Sequence, residues 1–78
     1  MNRRELEERL VRLGVPADMY SLDGLSDGER YCIVAQDGRV RLVYSERGRI
    51  TFSEDHVSLD DAYAALYAAL ASDFTGRA

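Results

Sequence analysis

The sequence predicts an α+β domain of order α-β-β-β-α, a three-stranded antiparallel meander with two helices packed on one face. Three observations carry that expectation. Residues 2–13 and 59–73 repeat their large apolar side chains at helical spacing. Between them, 30–36, 39–45 and 49–54 alternate apolar and polar residues with a period of two. Asp37-Gly38 is a strong two-residue hairpin signal, and Gly48 ends an expected three-residue loop, Glu46-Arg47-Gly48. Folding the chain at both turns sets Tyr31 opposite Tyr44, Ile33 opposite Leu42 and Ala35 opposite Val40. The second turn then sets Tyr44 opposite Ile50 and Leu42 opposite Phe52, every partner on one sheet face.

The first helix is specified at both ends. Asn2 is the expected N-cap, and Glu5 three residues on completes a capping box. Leu6, Leu10 and Leu13 form its apolar stripe, Glu5–Arg9 and Glu8–Arg12 are i,i+4 pairs, and Gly14 followed by Pro16 ends it. Residues 14–29 read as a long loop with turn signals at Asp23-Gly24 and Asp27-Gly28. Met19, Tyr20, Leu22 and Leu25 pin that loop to the core. Ser58 caps the second helix, and Asp60 and Asp61 suit its first turn. Leu59, Tyr63, Leu66, Leu70 and Phe74 make its buried stripe, with Tyr67 at the edge.

With both helices on one face, the other face of the sheet is expected to stay open. It carries Cys32, Val34 and Val43 ringed by Arg30, Arg39, Arg41 and Arg49, a small apolar centre with a basic rim.

Seventy-eight residues suffice for one core and no more. The single cysteine cannot form an intrachain disulfide. The charged start, Asn2-Arg3-Arg4-Glu5, does not read as a secretory leader, and no apolar run has membrane-spanning length, so a cytoplasmic location without membrane contact is expected. Net charge is -4, and all the basic residues are arginine. Two acidic segments, 15–29 and 53–78, bracket a basic stretch over 30–52.

Catalysis finds little support in the residues. His56 is the only histidine, Asp55 stands beside it, and Cys32 is the only thiol. A nucleophile, a base and an orienting acid must converge, and this set does not suggest that they do. Cys32 reads as a small hydrophobe filling a gap, and His56 as a solvated loop residue. Asp23, Asp27 and Glu29 lack the ligand alternation of a calcium loop, and no glycine pattern cradles phosphate. No cofactor or metal is expected, and the chain reads as no enzyme. Double-stranded RNA-binding domains share the α-β-β-β-α order, but they grip phosphate with a basic second-helix start. Here that start is Ser58-Leu59-Asp60-Asp61, which repels phosphate, so no nucleic-acid partner is expected. The acids of the long loop interleave with Tyr20, Leu22 and Leu25, a composition that docks on a basic protein surface.

Three stretches carry a family resemblance: Leu13-Gly14-Val15-Pro16, Tyr20-Ser21-Leu22-Asp23-Gly24 and Tyr44-Ser45-Glu46-Arg47-Gly48. Together they resemble small actinobacterial immunity-like proteins associated with polymorphic-toxin gene clusters. That resemblance implies a non-catalytic module that neutralises a cognate toxin protein by direct binding. The expected contact residues are Tyr20, Asp23, Asp27 and Glu29 on the loop, extended by Arg41, Val43, Glu46 and Arg47. The alternative is a homodimer of structural or regulatory role that uses the open sheet face.

Overall fold

The computed structural model describes residues 1–75, the side chains of 74 and 75 excepted. It is an α+β fold. Helix α1 (Arg3–Leu13) is followed by a single 3-10 turn (Ala17–Met19) and a very short strand β1 (Tyr20–Ser21). Then come β2 (Arg30–Gln36), β3 (Arg39–Glu46), β4 (Arg49–His56) and helix α2 (Leu59–Thr75). The four strands lie in the order β1-β2-β3-β4.

The fourth strand corrects the expected three-stranded meander. Tyr20 and Ser21 pair with Tyr31 and Cys32 in parallel, and the Gly24 amide donates to the Ile33 carbonyl at 3.0 Å. Two residues have no legible period, and a parallel pair joined by so short a connection is unusual. It is feasible here because β1 is only two residues long.

The β2–β3 hairpin has the expected register, with Tyr31–Tyr44, Ile33–Leu42 and Ala35–Val40 as partners. Asp37 (φ 54°) and Gly38 (φ 75°) make its two-residue turn, with both residues left-handed. The next hairpin departs from expectation. Its turn is Arg47-Gly48 alone (φ 52° and 77°), with Glu46 paired to Arg49. Ile50 therefore faces Ser45, Phe52 faces Tyr44 and Glu54 faces Leu42. Thr51 is the extra residue of a bulge that returns Phe52 to the face of Tyr44.

Both helices cover one face. Leu6, Leu10 and Val15 meet Ile33 and Leu42 of the sheet and Ala62, Tyr63, Leu66 and Leu70 of α2. The caps on α1 are as expected: the Glu5 amide donates to Asn2 Oδ1 at 2.9 Å, and Gly14 sits at φ 82°. Glu5 is turned back into the capping box, so the surface pairs on α1 are Arg3–Glu7 and Arg4–Glu8, while Arg9 lies over the Tyr67 ring. Ser58 caps α2 by accepting from the Asp61 amide at 3.1 Å. Leu59, expected in the buried stripe, is 41% exposed, and Ala62 is buried instead. Phe74 lies outside the described side chains.

The other sheet face is less open than expected. Cys32 and Val43 have no exposed area and form a second small cluster with Val34. Arg30 and Arg41, on the same face, are half-buried. Leu25, Ser26 and Asp27 line a cleft with Ser45 and Ile50, which places residues 25–27 of the loop at the Ser45 end of this face. Arg30 braces that segment, its Nη1 donating to Ser26 Oγ at 3.2 Å.

Candidate functional site

The expected contact residues divide into two groups in space. Asp23 lies toward α1: Arg3 donates to both its carboxylate oxygens, at 2.7 and 3.0 Å. That hydrogen bonding, with the attendant charge, holds the Asp23 carboxyl below its usual range and raises the guanidinium of Arg3. The pair borders an open pocket of about 490 Å³ lined also by Leu22, Ile33, Leu59 and Tyr63.

Asp27 belongs to the other group. With Leu25 and Ser26 it forms one wall of a cleft of about 210 Å³, and Ser45, Gly48 and Ile50 form the facing wall. Glu46 and Arg47 flank that wall at the hairpin turn, and Glu29 is exposed at the loop's return into β2. Loop and hairpin, far apart in sequence, therefore present one surface. Its apolar part is Leu25, 59% exposed, and Ile50, 45% exposed.

The remaining expected residues are placed differently. Tyr20 is half-buried against the main core, and Arg41 is half-buried beside the small cluster. Val43 is fully enclosed, so it offers no surface to a partner and acts only through packing. The same enclosure of Cys32 removes the exposed apolar centre that a homodimer through this face requires.

Four aromatic residues run in register across all four strands: Tyr20, Tyr31, Tyr44 and Phe52. Tyr31 and Tyr44 meet edge to face, with centroids 4.9 Å apart and rings at 69°. Desolvation pushes both phenols above the usual range, with Asp73 adding to each. The row ends at Phe52, which is 43% exposed.

His56 is not a solvated loop residue. Its side chain is 11% exposed and stands between two carboxylates. Nδ1 lies 2.7 Å from Asp61 Oδ2 in a hydrogen bond, and Nε2 lies 2.6 Å from Glu54 Oε1 in an ion pair too poorly aligned to be one. The Asp61 bond, helped by Glu54 and opposed by desolvation, raises the imidazole pKa. Nδ1 thus ties β4 to α2, while Nε2 faces Glu54 within β4 itself. The sequence signal was available in the spacing of Glu54, His56 and Asp61 around the Ser58 cap, but only the chain reversal there brings all three together. Among the described residues, no group of three His, Cys, Asp or Glu side chains is placed to hold a metal ion, and no helix is long and apolar enough to cross a membrane.

Compared with known proteins, the chain matches no family model, no curated protein and no solved structure.

Proposed function

We propose that this chain is a non-catalytic protein-binding module, an immunity protein that neutralises a cognate polymorphic toxin by direct contact. The observation that carries the binding reading is Leu25: a large apolar side chain, 59% exposed, held on a loop with the acids Asp27 and Glu29 and facing the hairpin across a cleft. An apolar anchor with an acidic surround suits a partner whose own surface is basic, with charge steering the approach. The toxin assignment rests on the resemblance of residues 13–16, 20–24 and 44–48.

Arg47 adds a second support. It is a non-glycine residue at φ 52°, where an arginine side chain gains nothing from the backbone. A strained residue at an exposed turn next to a cleft points to use of its side chain. The mechanism is occlusion: Leu25, Asp27 and Glu29, with Glu46 and Arg47, cover a basic active-site cleft of the toxin.

The test is affinity capture with the tagged chain from a lysate of its native host, run beside Asp27→Lys/Glu29→Lys. The expected result is a large protein with a C-terminal toxin domain, recovered near one-to-one by the parent chain and lost by the variant. Equal recovery by a folded variant overturns the loop surface, and recovery of no toxin-bearing protein overturns the immunity reading.

A further inference from the structure

The outer edge of β4 carries no further strand among the described residues. It is eight residues long, and all but His56 are exposed. The opposite edge is different: β1 is short, and the Gly24 amide continues along β2 to Ile33. A long edge with unpaired backbone groups is a template for another strand.

We propose that β4 of a second copy of this chain pairs with it in antiparallel fashion, joining the two sheets across a twofold axis. Two observations choose that occupant. First, the charges along the edge are sorted. Arg47 and Arg49 stand at its start, Glu54 and Asp55 at its end. An antiparallel copy sets basic ends against acidic ends, whereas a parallel one sets like against like. Arg47 and Arg49 make no ion pair among the described residues, and Glu54 and Asp55 remain 50% and 64% exposed beside His56 and Arg39. Second, the aromatic row ends half-exposed at Phe52. Phe52 opposite its own copy continues the row into the second sheet. With Thr51 as the extra residue of the bulge, Arg49 and Glu54 share the face of Phe52, so the same register brings Arg49 alongside Glu54 of the second copy. Aromatic and opposite-charge cross-strand pairs are the favoured units of sheet pairing. One strand pair is a small interface, so the dimer forms in a concentration-dependent way, with a dissociation constant of roughly micromolar order.

The proposal is tested by sedimentation of the full chain from roughly 1 μM to 1 mM. The parent chain is expected to pass from one-chain to two-chain mass. Arg49→Glu and Glu54→Arg should each weaken the dimer about tenfold, and the double reversal should restore it. Amide hydrogen exchange on the parent chain gives a readout independent of how the variants fold: β4 amides should slow at the concentrated end. A chain that stays monomeric throughout overturns the proposal. So does a dimer whose β4 amides exchange equally fast at both ends of the range.

Discussion

Asp61 holds two elements at once. Its carboxylate lies 2.7 Å from His56 Nδ1 at the end of β4, and its backbone amide donates to Ser58 Oγ at the start of α2. The exposed edge strand is thereby tied to the helix that covers the core, through a group that titrates near neutrality.

The consequence is a pH dependence with a defined sign. The folded-state pKa of His56 is raised, so its contribution is fully present below the unfolded value of about 6.5 and is lost as pH rises through the folded value. His56→Gln is expected to cost about 1 kcal/mol at pH 6, the carboxylate partners being half-exposed, and less at pH 9. Urea unfolding of both proteins at the two pH values checks this. An equal difference at both would mean that His56 acts by packing alone.

How much of this was legible in the sequence depended on the element. The β2–β3 register follows from Asp37-Gly38 because a two-residue turn fixes every later pair. The β4 register does not follow from the sequence, because two readings of Glu46-Arg47-Gly48 are equally periodic and the bulge at Thr51 hides which is used. Strand β1 is too short to show alternation. The period of two sets Cys32 and Val43 on one face, but a sequence does not show that residues 25–27 return beside it. For the same reason the sequence does not show the cleft that Asp27 lines with Ile50.

Arg3 and Asp23 give a second titration. The carboxyl of Asp23 is depressed by the Arg3 hydrogen bond first and its charge second. Its stabilisation is present above the unfolded value of about 3.9 and is lost as pH falls through the folded value. Arg3→Gln should return the Asp23 carboxyl resonance, followed by NMR, to the ordinary range. A midpoint that does not move would show that the contact is absent in solution.

Cys32 should behave as a core side chain. It has no exposed area, and its sulfur makes only a long 3.9 Å contact to the Arg30 carbonyl. A thiol reagent is expected to label it only as fast as the chain unfolds. Cys32→Ser places a hydroxyl between Val34 and Val43 and should cost about 1–3 kcal/mol, with Cys32→Ala nearer the low end. Rapid labelling of the native chain would show that the loop beside this face opens freely.

Arg47 separates stability from binding. Its φ of 52° costs a residue with a Cβ about 1 kcal/mol, and the next position, Gly48, already supplies the glycine that this turn type favours. Asn-Gly is the preferred pair for such a turn, so Arg47→Asn should raise stability by about 0.5–1 kcal/mol, read as a higher melting temperature. Arg47 is exposed beside the cleft formed by Leu25, Asp27 and Ile50. The same substitution should therefore weaken capture of a partner that docks there, even as the fold gains. A stabilised variant with undiminished capture would place the contact elsewhere on the loop. A variant that is not stabilised would mean that Arg47 already recovers its strain within its own chain.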